Sequence, residues 1–140
     1  MTLSLTTDCT GVNWQAVADT LRSVGMASRY PEKHRRAFEA SYATIFIYSS
    51  DTLVGFGRAI SDGVYQAAIY DCAVAVDFQG QGIGRMILDN LLSRLQGCNV
   101  ILYASPGKEG FYEKHGFRRM KTGMARFVNG EFMQHQGFTE

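Results

Sequence analysis

The spacing of apolar residues changes once along the chain, and this change constrains the fold more than any other feature. Between residues 44 and 76, apolar and β-branched side chains fall in three strand-like runs separated by short polar turns. These runs are Thr44–Ser49, Leu53–Ile60 and Tyr65–Val76. From Gly82 to Gln96 the apolar residues recur instead at helical spacing, and Val100–Ala104 is a further apolar run. Because parallel strands need a crossover between them, a meander followed by strand, helix and strand predicts a mixed sheet.

Local signals predict the flanking elements. Asn13 can cap a helix that ends near Gly25, and Pro31 suits the first position of a second helix that ends near Ser41. The other predicted elements are a strand at Leu3–Leu5, a helix at Lys108–His115 and closing strands at Phe117–Met120 and Met124–Val128. With no internal repeat or linker, residues 1–140 are predicted to form one domain. Its predicted fold class is α/β (α+β), with a central mixed, mostly antiparallel sheet flanked by about four helices.

Composition and charge exclude several classes of function. Fourteen basic and thirteen acidic residues leave a net charge of +1, which offers no broad field for nucleic acid or anionic lipid. The apolar stretches are too short to span a membrane and the N-terminal residues lack signal-peptide features, so a cytoplasmic location is expected. Three scattered cysteines and three separated histidines lack metal-ligand spacing, so we expect no metal.

A glycine-rich loop lies where the strand pattern gives way to the helix pattern. Glycines alternate with other residues in Gln79–Gly84, so the backbone can approach a ligand without obstruction by side chains. Amides at a helix N-terminus lack intrahelical partners, and the helix dipole adds partial positive charge there. The loop therefore predicts an anion site, with Arg85 as an additional cation. A dinucleotide fingerprint is excluded because Ile87 stands where its third glycine should be.

Two blocks of the sequence resemble signatures of the GNAT superfamily of N-acetyltransferases. Gln79–Gly84 matches the family pattern Q/R-x-x-G-x-G/A and lies between the fourth predicted strand and the third predicted helix, as it does in that family. Phe111–Phe117 looks like the second block, F-Y-x-K-x-G-F. The wider segment Gly57–Gly84 is similar to a small-amine branch that includes plant serotonin N-acetyltransferase-like proteins. The resemblance covers roughly the whole chain and implies an acyltransferase that uses acetyl-coenzyme A (acetyl-CoA).

The same resemblance implies which residues bind the two substrates. Backbone groups of Val74–Val76 would pair with the pantetheine arm, and the pyrophosphate would lie on Gln81–Arg85. The implied coenzyme-binding residues are Val74, Ala75, Val76, Gln79, Gly80, Gln81, Gly82, Ile83, Gly84, Arg85, Ser105, Phe111 and Tyr112. The residues implied to contact the acceptor are Tyr30, Phe56, Arg58 and Asp71.

Acetyl transfer to an amine needs a neutral nucleophile, a donor to the developing oxyanion and an acid for the departing thiolate. By resemblance, Tyr112 is the acid and the backbone N–H of Val74 is the oxyanion donor. Tyr112 could instead only pack against the coenzyme. Asp71 is the candidate base, directly or through water, because a carboxylate in an otherwise apolar strand is costly unless it is paired or functional. A structural carboxylate bonded to the backbone or to Arg58 is an equal alternative.

The sequence does not identify which amine accepts the acetyl group. We expect a primary amine on a small molecule, namely an arylalkylamine, a polyamine or an amino sugar. A protein lysine or N-terminal amine is the alternative acceptor, and a non-catalytic CoA-binding regulatory module is an alternative of a different class. Members of the family often pair, so a homodimer is also open, whereas no nucleic acid or membrane partner is expected.

Overall fold

The computed structural model describes residues 2–140, which form two compact units. The larger unit contains a five-stranded sheet. The first unit extends to Leu102, and the second runs from Tyr103 to Glu140. The strands of the first unit are β1 (Leu3–Thr6), β2 (Ala43–Ser49), β3 (Thr52–Ser61), β4 (Gln66–Val74) and β5 (Asn99–Ile101). Its α-helices are α1 (Trp14–Ser23), α2 (Pro31–Glu39) and α3 (Ile83–Ser93). The second unit holds α4 (Glu109–Glu113) and α5 (Gly130–His135).

The strands lie in the sheet in chain order from β1 to β5. Neighbouring strands are antiparallel except β4 and β5, which are parallel and joined through α3. This arrangement confirms the predicted mixed, mostly antiparallel sheet. The prediction for β5 was too long at its C-terminal end, because its ladder with β4 covers only three residue pairs, from Gln66↔Asn99 to Ala68↔Ile101.

The first two helices begin where the sequence predicts. The side chain of Asn13 accepts a hydrogen bond from the N–H of Ala16 at 3.0 Å, which satisfies one free donor of the first turn of α1. Pro31 occupies the first turn of α2, where its missing N–H costs nothing. Each helix buries one stripe, and the stripe of α2 consists of His34 and Phe38.

Aromatic rings fill the core between these helices and the sheet. The rings of Trp14, Phe38, Phe46 and Phe56 pack with centroid separations of 5.5–6.0 Å. Phe38, Phe46 and Phe56 are almost completely buried. Tilted and edge-to-face contacts at these distances add to the stabilisation that burial itself provides.

Helix α3 packs very closely against the opposite face of the sheet. A Cβ atom on Gly55 would lie 2.9 Å from Ile83 Cγ2, and one on Gly57 would lie 2.8 Å from Ile87 Cγ2. Side chains alternate between the faces of a strand, so these glycines face α3 while Phe56 between them faces α2. The two glycines therefore let α3, and the loop that precedes it, approach the sheet closely.

β4 contains one extra residue relative to β3. Arg58 pairs with Tyr70, but Phe56 pairs with Ala73, so three steps along β4 match two steps along β3. Such a β-bulge bends the strand that carries it. Beyond Ala68, no strand of the described residues pairs with β4 on the side of β5. We call this unpaired side of Ile69–Val74 the open edge.

The second unit has its own small aromatic cluster and no strands among its described residues. The rings of Tyr103, Phe127 and Phe138 pack at 5.3–6.4 Å from one another. The predicted closing strands Phe117–Met120 and Met124–Val128 are therefore wrong. Their apolar residues are largely exposed, and β propensity without a neighbouring strand provides no ladder of hydrogen bonds.

Other expectations can be compared with the described residues 2–140. No helix among them is long and apolar enough to cross a membrane. No group of three or more His, Cys, Asp or Glu side chains within this range could hold a metal ion. Cys9, Cys72 and Cys98 are free. The assignment of residues 1–140 to a single domain stays a prediction.

Candidate functional site

The loop before α3 presents a row of unpaired amides. Gly80 and Gly82 adopt positive φ angles of 78° and 84°, a backbone conformation that residues with a Cβ atom rarely take. Met86 is the first residue of this region whose N–H bonds back, to Gly82 O at 3.1 Å. Across the described chain, the amides from Gly80 to Arg85 donate to no protein group. Unpaired amides at the positive end of a helix dipole fit an anion such as a diphosphate.

The side chains of this loop have different roles. The Gln79 amide Nε2 donates to the carbonyl of Val74 at 3.1 Å, which fastens the loop to the end of β4. Ile83 is buried, so it can offer a ligand only its backbone. Arg85 is well exposed, and its guanidinium lies 3.6 Å from Asp89, a distance that leaves it free to contact an anion.

The end of β4 turns backbone groups toward the open edge. The N–H of Ala75 donates to Val54 O of β3 at 2.8 Å. Successive residues of a strand point their N–H and C=O groups to opposite sides, so those of Val74 point to the open edge. Val76, predicted as strand, instead begins a short 3₁₀ turn from Val76 to Phe78, closed by the N–H of Phe78 on Ala75 O.

Asp71 occupies the bulge and is ion-paired. Its φ of 55° is left-handed, which is uncommon for a residue other than glycine. Its Oδ2 accepts a hydrogen bond from Arg58 Nε at 2.7 Å, and the two side chains are only 18% and 15% exposed. The structure thus contains the pairing with Arg58 that the sequence left as one of two alternatives for this carboxylate.

The guanidinium of Arg58 connects several elements. It lies 5.7 Å from the ring centroid of Phe38 and 5.4 Å from that of Tyr70, and its Nη1 donates to Ser41 Oγ at 3.3 Å. Cation–π contacts of this kind are strengthened by partial burial. Arg58 therefore connects β3 and β4 to Phe38 of α2 and to Ser41, which lies shortly after the end of α2.

His34 lies next to this ion pair and was missed as a site residue in the sequence. It is 2% exposed, and its Nε2 accepts the N–H of Arg29 at 2.9 Å. Burial lowers the pKa of His34, and the nearby charge of Asp71 opposes this effect. The available sequence signal was its position four residues before Phe38, on the buried stripe of α2.

The free energy of unfolding should fall as the pH drops below about 6.5, the ordinary pKa of histidine. The folded state depresses the pKa of His34, so the unfolded chain binds more protons in the window below that value. This contribution is complete above the unfolded pKa and is lost as the pH falls through the folded one. Urea unfolding at pH 7.5 and 5.5 measures it. His34→Gln should flatten the pH dependence, whereas His135→Gln, at an exposed position, should not.

The remaining acceptor candidates are placed differently. Tyr30 is 81% exposed at the N-terminus of α2. Phe56 has no exposed surface and packs on Phe38, so it is a core side chain here and we leave it out of the proposed site. A shallow groove of about 510 Å³ beside Tyr30 is lined by α1, α2 and the segment between them, including Arg22, Arg29 and Lys33.

In the second unit, Tyr112 lies on α4 among aromatic rings. Its ring centroid is 5.1 Å from that of Phe111 and 5.9 Å from that of Phe117. Its carbonyl accepts the N–H of Phe117, and Gly116 provides the positive φ of 87° that this turn requires. Ser105 accepts the N–H of Lys108 through its carbonyl. The block Phe111–Phe117 thus forms one folded turn that fixes the ring of Tyr112.

Residues 15–134 match the acetyltransferase (GNAT) domain. The chain belongs to the GNAT family of acetyltransferases, as its two sequence blocks predicted.

Two plant N-acetyltransferases and one solved structure are among the proteins to which the chain is similar. The chain is 36% identical over 115 residues to serotonin N-acetyltransferase 2, chloroplastic, of Oryza sativa subsp. japonica, across 77% of this chain and 58% of that protein. It is 33% identical over 112 residues to GCN5-related N-acetyltransferase 1, chloroplastic, of Arabidopsis thaliana, across 76% and 57%. The chain thus spans less than two thirds of the length of these relatives. A probable acetyltransferase from meticillin-resistant Staphylococcus aureus shares the fold, with a TM-score of 0.81 at 23% identity over 91% of this chain and 99% of that one.

Proposed function

We propose that the chain is an acetyl-CoA-dependent N-acetyltransferase that acetylates a primary amine on a small molecule. The observation that supports this most is the row of amides from Gly80 to Arg85 at the N-terminus of α3, which have no partner within residues 2–140. A diphosphate satisfies such a row, and Arg85 adds a charge-assisted contact. The carbonyl of Val74 accepts the Gln79 side chain and keeps a second lone pair, so it can also accept from an extended ligand arm at the open edge of β4.

The chain's own residues then supply the catalytic groups. Acetyl-CoA brings an activated thioester, which a neutral amine can attack directly. The N–H of Val74 is the donor that we assign to the developing oxyanion, because a preplaced backbone amide needs no reorganisation. The phenol of Tyr112 is the acid that we assign to the departing thiolate, since a phenolic O–H can donate its proton. We assign the amine's proton to water, because Arg58 already holds one oxygen of Asp71.

The positive charges beside Tyr30 favour some small amines over others as the acceptor. Arg29 and Lys33 line the groove of α1 and α2 next to this exposed ring, and neither forms an ion pair within residues 2–140. Cations there disfavour a polyamine, which carries several positive charges of its own. The name of the rice relative refers to serotonin, an arylalkylamine, and a flat aromatic acceptor could pack on Tyr30. We therefore rank arylalkylamines and amino sugars above polyamines.

A turnover screen tests the proposal. Thiol release from acetyl-CoA is followed with tryptamine, serotonin, glucosamine 6-phosphate, spermidine and peptides bearing a lysine or a free N-terminus. We expect release that depends on one of the first three. Release with the peptides alone would indicate the alternative of a protein acetyltransferase. Calorimetric binding of acetyl-CoA without turnover of any amine would indicate a CoA-binding regulatory module, and the absence of binding would overturn the proposal. Cytoplasmic location and homodimer formation stay predictions.

A further inference from the structure

We propose that His34 is a positioning residue for the acceptor amine: its neutral imidazole holds Arg29 and Tyr30 in place at the groove lined by α1 and α2. Protonation of the ring releases these two residues, so the acceptor should bind more weakly in acid while acetyl-CoA binds as before. The part that concerns the acceptor rests on the proposed function, whereas the hydrogen bond of His34 and its dependence on pH do not.

A hydrogen bond to His34 fixes the direction in which the chain enters α2. Counted from the N-cap Tyr30, Arg29 is the residue before the cap and His34 is the fourth residue of the helix. These two positions often hold an apolar pair that sets the entry angle of the chain. Here the N–H of Arg29 donates instead to His34 Nε2 at 2.9 Å. The side chain of Tyr30 makes no capping hydrogen bond, so the entry into α2 relies on the imidazole.

Few hydrogen bonds hold the segment between α1 and α2. The N–H of Met26 and the hydroxyl of Ser28 donate to carbonyls of α1 at 2.9 and 2.8 Å. Between Ser28 and the helix, the Arg29 amide is the only backbone donor that finds an acceptor within residues 2–140. Loss of its bond to His34 therefore leaves Arg29 and Tyr30 free to move.

Only the neutral imidazole can accept this hydrogen bond. Nε2 accepts through its lone pair, whereas both ring nitrogens of an imidazolium carry a proton. A protonated His34 would therefore place a donor against the N–H of Arg29. Because the ring is only 2% exposed, water cannot take the place of the lost partner, and the segment has to move.

The surroundings of His34 set the pH range in which this happens. Burial lowers the pKa of His34, and the positive charges of Arg29, before α2, and of Arg58 on β3 lower it further. The carboxylate of Asp71 on β4 acts in the opposite direction. The pKa lies below the ordinary value of about 6.5, so the ring is neutral at pH 7.5 and takes up its proton in more acidic solution. The hydrogen bond is thus present at neutral pH and lost in acid.

The residues that protonation releases are those that face the proposed acceptor. Arg29 and Tyr30 line the groove of about 510 Å³, and the ring of Tyr30 is 81% exposed. The amides from Gly80 to Arg85, which we assign to the diphosphate, share no hydrogen bond with this segment within residues 2–140. Protonation of His34 should therefore change the KM for the acceptor and leave the Kd for acetyl-CoA unchanged.

Nuclear magnetic resonance (NMR) of the Arg29 amide tests the structural part without any turnover. As the pH is lowered from 7.5 in the folded protein, the amide proton should shift with the same midpoint as the ring protons of His34. His34→Gln places a carbonyl oxygen near the position of Nε2 and does not titrate, so its Arg29 amide should not shift. An Arg29 amide that fails to follow the His34 titration in the wild type would overturn the proposal.

A second variant decides the case in which the chain unfolds before His34 titrates. His34→Asn has a side chain too short to reach the N–H of Arg29, so at pH 7.5 the amide should exchange with solvent faster than in His34→Gln. The expected difference is about fivefold, the equivalent of one hydrogen bond. Equal exchange in these two folded variants would contradict the proposal.

Kinetics test the part that concerns the acceptor. Because the amine also takes up a proton in acid, variants are compared with one another at a single pH. At pH 7.5, the KM for the acceptor should be about fivefold higher in His34→Asn than in the wild type and His34→Gln. One pH unit below the midpoint of His34, the wild type should have risen to a similar excess over His34→Gln.

The controls separate this inference from the proposed function. The Kd for acetyl-CoA should stay within about twofold in all variants, and His135→Gln, at an exposed position, should follow the wild type at both pH values. Turnover with the same acceptor KM in the wild type, His34→Gln and His34→Asn would refute the positioning role and leave the proposed function intact. If no amine turns over, the proposed function fails, and the NMR data still decide whether His34 holds Arg29.

Discussion

Replacement of Gly82 by valine should weaken acetyl-CoA binding about 100-fold. Gly82 is the N-cap of α3 with a φ of 84°, where a β-branched residue is strained and would rotate the adjoining peptides. The proposed diphosphate contacts come from amides on both sides of this residue. Loss of two charge-assisted hydrogen bonds of about 1.5 kcal/mol each corresponds to roughly this factor. Isothermal titration calorimetry with acetyl-CoA measures it.

The control for this variant is Gly97→Val. Gly97 has a φ of 83° and follows α3 at its other end, and a Cβ atom added there would have no neighbouring atom within 4 Å. It therefore carries the same backbone strain away from the proposed anion site. Both variants should lose similar stability in urea unfolding, but Gly97→Val should keep the wild-type Kd. Equal weakening of acetyl-CoA binding in both would show that strain alone, and not the loop, accounts for the effect.

Tyr112→Phe should lower kcat about 100-fold or more and leave the Kd for acetyl-CoA within about threefold. The substitution keeps the ring that packs against Phe111 and Phe117 and removes only the hydroxyl. General acid catalysis commonly contributes factors of about 10²–10⁴. Thiol release under saturating amine, together with calorimetry, separates the chemical step from binding.

A matched tyrosine elsewhere provides the control. Tyr65 lies beside the β3–β4 turn and is 61% exposed, and its N–H donates to Asp62. Tyr65→Phe should leave kcat at the wild-type value. Full turnover by Tyr112→Phe would remove the assignment of the acid, and the sequence alternative, in which the ring only packs against the coenzyme, would then hold.

The sequence predicted most of the first unit because its signals are local. The cap at Asn13, the proline at Pro31 and the glycines before α3 each fix a boundary through their own backbone preferences. The apolar stripe of α3 was equally readable, and it is buried as predicted. In contrast, the strands proposed after residue 116 failed because a strand also needs a partner that local propensity cannot supply.

In the candidate site, too, the sequence predicted the features that depend on single residues and missed those that depend on tertiary packing. The conformation of the glycine-rich loop before α3 was visible in its glycine spacing, since positive φ angles are a property of single residues. The bulge in β4 was not visible, because it depends on the register between two strands. The buried contacts of Arg58 with Ser41 and the placement of His34 beside the ion pair likewise depend on tertiary packing. Phe56, whose contact with the acceptor stays a prediction, is fully buried here, which the alternation of strand residues did not show.

An unpaired strand edge is also a template on which another extended chain can add, and growth from such edges leads to aggregation. The open edge of β4 is of this kind, yet it contains a kink and a carboxylate within a few residues. An incoming strand would need a straight ladder, which the inserted residue interrupts. The bulge in β4 therefore helps keep copies of the chain from adding to one another edge to edge.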